Sequence, residues 1–173
     1  MALDTFIVIA NAYDSEADAL ADYESVRKLY ADHGMIDTYD AAVVTKNGDG
    51  EVKVVKKHEE PVRQGAVGGG VLGLAVGALV AILPPIGLGA ALLAGGAIGA
   101  GAGAVAGHVK GGLPNADLKK LGDTLESGDS GLIVIAATDL EAHVERAITH
   151  AKKQAKAQLQ ADTDALKKEI DAL

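Results

Sequence analysis

Several residue types are scarce or absent in this 173-residue chain, and each absence excludes a class of function. The chain has no cysteine, which excludes disulfides, thiol catalysis and cysteine-ligated metal sites. It has no tryptophan, and its aromatic content is only 3%. Because 49% of the residues are nevertheless hydrophobic, the apolar content is mainly Ala, Val, Leu and Ile. A core of this composition packs by close approach of the backbone rather than by large side chains.

Acidic residues outnumber basic ones, and the resulting net charge of −8 argues against nucleic acid as a partner. The first residues contain Asp4 and no basic region, so we expect no secretory signal. The polar parts of the chain are therefore expected in the cytoplasm.

One long segment carries no charge at all, from Gln64 to Gly107. Pro84 and Pro85 divide it into two apolar stretches, residues 65–83 and 86–107, and favour a turn between them. As helices these stretches would be roughly 28 and 33 Å long at about 1.5 Å per residue. A bilayer core is about 30 Å thick. The segment therefore predicts a helical hairpin that crosses a membrane and returns.

Glycine recurs at every fourth position in both stretches, which puts each set on one helix face. Small residues at this spacing allow close helix packing in lipid. The sequence thus predicts a helix-packing interface within the hairpin or between copies of the chain, made of Gly65, Gly69, Gly73, Gly77, Gly95, Gly99, Gly103 and Gly107.

Lysine and arginine flank the segment on both sides, which favours a hairpin with both ends in the cytoplasm. No aromatic belt marks a membrane interface, and the many glycines lower the hydrophobicity, so we expect insertion to be marginal without packing in a homo-oligomer. Two alternatives stay open. The hairpins could bury one another in a soluble cytoplasmic particle or filament, or they could line a passive pore.

The remaining residues predict an α+β domain with the order β-α-β-β-α-β of a ferredoxin-like sandwich. Its strands are "TFIVIANAY", "YDAAVVTK", "EVKVVKK" and "GLIVIAATD", and "NGDG" joins the middle two as a hairpin. A helix begins at Asp14 or Ser15 and ends at Gly34, and a second is capped by Asn115, with Leu118, Leu121 and Leu125 facing inward. The strands "FIVIA" and "LIVIAA" are expected to be central neighbours.

The last part of the chain reads as one long helix by propensity, over residues 139–173. The division expected is residues 1–63 and 113–138 for the α/β domain, 64–112 for the hairpin and 139–173 for the helix. Beyond Lys156 such a helix would extend past its own sheet, so contact with another chain is expected there. Leu159, Leu166 and Ile170 are the predicted oligomerisation positions.

Motifs of catalysis and ligand binding are weak. "GGGVLG" fits a dinucleotide fingerprint, but no strand precedes it and no acid follows within 30 residues. The segment has no mid-membrane carboxylate, which argues against an ion-carrying rotor subunit. His143 and His150 read as a solvated helix face, whereas His58 and His108 flank the hairpin and could hold a metal or sense pH. We expect no enzyme, cofactor, metal site or small-molecule substrate; ligand binding by the sandwich would rest on fold analogy alone.

The arrangement resembles bacterial and archaeal proteins of unknown function in which a glycine-zipper hairpin interrupts a small α/β domain. The resemblance rests on "FIVIANAYDSEADA", on "GAVGGGVLGLAVGAL…GGAIGAGAGAVAG" and on "GLIVIAA", and covers roughly residues 5–138. It implies this architecture, and a membrane or stress-related role, but no catalytic residues. The sequence therefore predicts a non-enzymatic, homo-oligomeric scaffold at the cytoplasmic membrane.

Overall fold

The computed structural model describes residues 4–33, 39–46, 52–58 and 111–161. They form a mixed α+β unit whose strands build a single sheet. The strands are β1 (Asp4–Tyr13), β2 (Tyr39–Lys46), β3 (Val52–His58), β4 (Ser130–Ala137) and β5 (Lys153–Ala161). The helices are α1 (Glu16–Asp32), α2 (Asn115–Glu126) and α3 (Glu141–Ala147), and a 3₁₀ turn, Thr138–Leu140, precedes α3.

The sheet is antiparallel throughout its described pairs, in the order β3-β2-β4-β1-β5. The predicted neighbours "FIVIA" and "LIVIAA" are indeed adjacent, with Val8 opposite Ile135. Both strands lie between others and are buried on both faces, which explains why they are continuous apolar runs rather than alternating ones.

The predicted hairpin arms also pair, as β2 and β3. A register shift between Val43 and Val44 interrupts their ladder. Its turn, residues 47–51, lies outside the described part of the chain.

One face of the sheet is covered by α1 and α3. Ser15 caps α1 by accepting a hydrogen bond from the Asp18 N–H at 3.1 Å, as one of the two predicted caps. Helical spacing then turns Tyr23, Val26 and Tyr30 toward the sheet, where they are buried. Tyr30 stacks on Tyr39 of β2 with ring centres 4.0 Å apart. All four tyrosines of the chain thus lie in this core layer.

The other face carries α2, which lies against β1 and β5. Leu118, Leu121 and Leu125 are buried, as their spacing predicts. The predicted Asn115 cap is wrong: Pro114 occupies the cap position, and its carbonyl accepts from the N–H groups of Asp117 and Leu118. Its side chain makes no capping hydrogen bond, so the backbone carbonyl alone satisfies these two groups.

The predicted single helix over 139–173 is wrong beyond Ala147 in the described residues. Helix α3 ends at Ala147, and residues 153–161 form the edge strand β5. Strand β5 alternates, with Ala155, Ala157 and Leu159 buried beneath α2 and polar residues between them. Its period of two, together with pairing to β1, overrides the helical propensity of Ala, Gln and Lys.

A buried asparagine fixes β5 to the sheet as well. The side-chain amide of Asn11 donates to the Leu132 carbonyl at 3.2 Å, and Gln154 donates to Asn11 Oδ1 at 2.7 Å. Strands β4, β1 and β5 are therefore joined by side chains in addition to their ladder. Both polar ends of Asn11 are satisfied, as burial demands.

The last described residue before the glycine-rich segment is His58, and the first described residue after it is Gly111. These two points lie at the same end of the sheet. Strands β1 and β2 both run antiparallel to β4, so they begin at one end. His58, the last residue of β3, pairs with Ala41 near the start of β2. Gly112 lies against Gln160, which pairs with Thr5 near the start of β1.

The predicted glycine interface, the turn at Pro84 and Pro85, and Leu166 and Ile170 lie outside the described residues. Among the described helices, none combines the length and the apolar character needed to cross a membrane.

Candidate functional site

The most concentrated polar arrangement in the described residues surrounds Asp22, which is completely buried on α1. Tyr13 ends β1 and is equally buried, and the short cap at Ser15 turns the chain so that α1 brings Asp22 back over it. Thr149 and His150 approach from the loop between α3 and β5. We call Tyr13, Asp22, Thr149 and His150 the Asp22 cluster.

The carboxylate of Asp22 accepts hydrogen bonds from all three neighbours. Its Oδ2 receives the Tyr13 hydroxyl at 3.0 Å and the His150 backbone N–H at 2.9 Å. Its Oδ1 receives the Thr149 N–H at 3.1 Å, the Thr149 hydroxyl at 3.4 Å and the His150 ring Nδ1 at 2.6 Å. A buried carboxylate therefore organises a loop that is 127 residues distant in sequence.

These contacts determine the protonation of Asp22 and His150. Burial alone would raise the pKa of Asp22, but the hydrogen bonds from His150, Thr149 and Tyr13 outweigh it, and the pKa lies below its usual value. The hydrogen bond to Asp22 and the charge of its carboxylate raise the pKa of His150. Each partner thus stabilises the charged form of the other.

Tyr13 stays protonated and acts only as a donor. Desolvation raises the pKa of its hydroxyl most, and the neighbouring Asp22 carboxylate raises it further. It supplies the fully buried hydrogen bond of the cluster.

Chemically, the arrangement is a pH-sensitive clamp on the 148–152 loop. The His150 side chain is 47% exposed, so the ring exchanges protons with solvent while Nδ1 stays on Asp22. The neighbouring hydroxyl of Thr149 donates to Asp22 Oδ1, and its oxygen lies 3.1 Å from the protonated Nδ1. It is therefore not placed as a nucleophile that the other ring nitrogen would activate.

A family model described as a protein of unknown function, DUF1269, matches residues 66–171, more than half of the chain. The chain belongs to the DUF1269 family. Searches of curated proteins and of solved structures find no match to it. The matched span runs further toward the C-terminus than the predicted resemblance, and it includes Thr149 and His150 of this DUF1269 protein but not Tyr13 or Asp22.

A second group of charges ties α3 to β5. Lys156 Nζ lies 2.6 Å from Glu141 and 2.8 Å from Glu145, and these hydrogen bonds raise the pKa of the lysine. All three side chains are partly exposed, so solvent weakens the attraction and the network contributes little to stability.

Several sequence predictions for sites need correction. Leu159 is 1% exposed and lies on β5 opposite Phe6, so it packs within its own chain and is not on an oligomerisation helix. His143 and His150 do not share one helix face, because His143 lies on α3 and His150 in the loop after it. His108, the proposed partner of His58, lies outside the described residues.

Sequence reasoning missed the Asp22 cluster, although α1 contains a signal for it. Asp22 falls on the buried stripe of the helix, three residues after Ala19 and four before Val26. A carboxylate on such a stripe is costly unless it is paired. Among the residues that the structure describes, no group of three or more His, Asp or Glu side chains is arranged to hold a metal ion.

Proposed function

We propose that this DUF1269 protein is a non-enzymatic, membrane-associated homo-oligomeric scaffold. Its glycine-rich segment would insert as a helical hairpin from the cytoplasmic side, and its α/β unit would remain at the membrane surface. Residues 65–107 carry no charge and contain glycine at every fourth position in two stretches, which suits close helix packing in lipid.

The observation that carries the proposal is the position of the two attachment points. The chain leaves β3 and returns at Gly112 at the same end of the sheet, as the strand registers require. A segment attached this way can cross a bilayer and come back without its ends having to lie on opposite sides.

The spacing of these points also suits a hairpin. β3 and β5 are the two edges of the sheet, four strand spacings apart, which is about 20 Å at about 4.8 Å per spacing. Packed helices lie about 8–10 Å apart. The residues between the sheet and the uncharged run are sufficient to cover the remaining distance on each side.

The α/β unit itself we propose to be ferredoxin-like with an added edge strand. Without β3, the sheet order is β2-β4-β1-β5 and the chain order is β1-α1-β2-β4-α3-β5. This is the β-α-β-β-α-β order of that fold. In this interpretation α3, rather than α2, is the second core helix, and the insertion comprises β3, the glycine-rich segment and α2.

The test is the size of the purified full chain in detergent, measured by light scattering, for Gly73→Leu and Gly99→Leu. Each leucine fills the proposed glycine groove, so we expect smaller species although apolarity rises. Matched controls are Ala75→Leu and Ala97→Leu, which add bulk two residues away and should assemble like the parent. Equal assembly of all four variants would overturn the glycine-packing interpretation.

A soluble particle or filament is the second candidate, because the uncharged, glycine-patterned hairpins could also bury one another. It predicts large species that persist in buffer without detergent. Small species that require detergent would favour the membrane scaffold.

A further inference from the structure

Two exposed histidines meet where α1 ends and α3 begins. His33 follows the last residue of α1, and His143 lies in the first turn of α3. Their ring centres are 6.3 Å apart and the ring planes are inclined by 69°. Neither ring belongs to the Asp22 cluster.

The backbone fixes the tautomer of His33. Its Nδ1 lies 2.7 Å from the Leu29 carbonyl oxygen, and a carbonyl oxygen can only accept. Nδ1 must therefore carry the hydrogen, which leaves the lone pair of the neutral ring on Nε2. Histidines that bind metals are commonly held this way, with one ring N–H donated to a backbone carbonyl.

The separation of the rings suits one ion between them. A metal bound to one nitrogen of each ring, at about 2.0–2.1 Å, would lie roughly 3.2 Å from each ring centre. The ring centres would then be roughly 5 Å apart at a tetrahedral angle, and roughly 6–6.5 Å apart where the two nitrogens lie nearly opposite each other across the ion. The observed 6.3 Å matches the second arrangement, which is that of opposite corners of a square-planar site. The exposed His143 side chain can rotate to bring one of its nitrogens to this ion.

We propose that His33 and His143 form a binding site for a divalent transition-metal ion that favours square-planar coordination, such as Cu²⁺ or Ni²⁺. Imidazole nitrogen favours Cu²⁺, Ni²⁺ and Zn²⁺ over Mg²⁺ and Ca²⁺. Water can supply the remaining ligands, because both histidines are exposed. The site is open, and the net charge of −8 attracts cations to it.

The site is independent of the proposed scaffold function, because both histidines lie on the α/β unit and not in residues 65–107. Its loss would therefore leave detergent-dependent assembly unchanged. Failure of the metal site and failure of the membrane proposal are distinguishable in the same preparation.

The experiment titrates Cu²⁺ into the purified full chain and into His33→Gln and His143→Gln. We expect one tight site in the parent, with affinity at least about tenfold weaker in either variant, because losing even an outer-shell partner costs about 10–100-fold. Electron paramagnetic resonance should show two coordinated imidazoles in the parent and one in each variant. His150→Gln is the control and should bind like the parent.

A second measurement follows thermal unfolding with Ni²⁺. The ion should raise the melting temperature of the parent, since it binds only the folded arrangement, and should not do so in the double variant. Equal copper affinity in the parent and both variants, or a parent spectrum with a single imidazole, would overturn the proposal.

Discussion

Replacement of Asp22 by alanine tests the structural role of the Asp22 cluster. The carboxylate accepts five hydrogen bonds from three residues, so its removal leaves several donors without their acceptor. The 148–152 loop then loses its attachment to α1, while β1, β4 and the rest of the sheet keep their pairing.

The size of the effect follows from the exposure of the donors. The Tyr13 hydroxyl is fully buried, and an unsatisfied buried donor costs about 1–3 kcal/mol. The N–H groups of Thr149 and His150 belong to exposed residues and can bind water instead, so each loss is nearer 0.5–1.5 kcal/mol. Relief from burying the carboxylate offsets part of this. We expect a loss of about 3 kcal/mol in the free energy of unfolding.

The assay is urea unfolding followed by circular dichroism, with hydrogen exchange at the Thr149 and His150 amides. Both amides should exchange much faster in Asp22→Ala. The control is Asp32→Ala on the same helix, whose exposed ion pair with Lys28 contributes less than about 1 kcal/mol. If Asp22→Ala were no more destabilising than Asp32→Ala, the clamp interpretation would be refuted.

Three further predictions concern pH and packing. NMR titration of His150 should give a pKa above its usual value, falling back in Asp22→Asn; because the folded pKa is raised, the stability from this pair is complete below about pH 6.5 and is lost as pH rises through the folded pKa. At the acid end the lowered pKa of Asp22 acts oppositely, and its contribution is lost as pH falls below about 4 through the folded value. A stability difference between parent and Asp22→Asn that grew above pH 7 would contradict the sign for His150, and one that did not shrink on acidification below about pH 4 would contradict the sign for Asp22. Gly112→Ala should destabilise by about 1–3 kcal/mol in thermal unfolding, because a methyl group there overlaps the backbone of β5; an unchanged melting temperature would refute this contact. Ala157→Glu should prevent stable folding whereas the neighbouring Gln158→Glu stays within about 0.5 kcal/mol, and equal effects would argue against the strand assignment of β5.

The two central strands were predictable because short runs of β-branched residues favour buried strands. "FIVIA" and "LIVIAA" are β-branched runs, and they are the two strands buried on both faces. Helix α1 was predictable from its cap and spacing. Its alanines do not mark the buried face, since Ala17 and Ala21 are exposed whereas Ala19 is buried. Alanine is compatible with either environment and does not define a face.

The last strand was not predicted, because its residues are good helix formers. Ala, Gln and Lys favour a helix locally, and only the alternation from Gln154 to Gln160 indicates a strand. Pairing with β1 decides between the two, and that contact is distant in sequence. The Asp22 cluster depends on the same long-range closure, so its partners could not be read from α1 alone. The position of Asp22 on the buried stripe indicated only that its carboxylate needs a partner.

The most direct test of the proposed scaffold is flotation of the full chain with lipid vesicles on a density gradient. We expect the protein to float with the vesicles and to remain bound in high salt and at alkaline pH, because an inserted segment, unlike an adsorbed one, is not released by either condition. Recovery of the protein at the bottom of the gradient, as a particle whose size is independent of lipid and detergent, would contradict it.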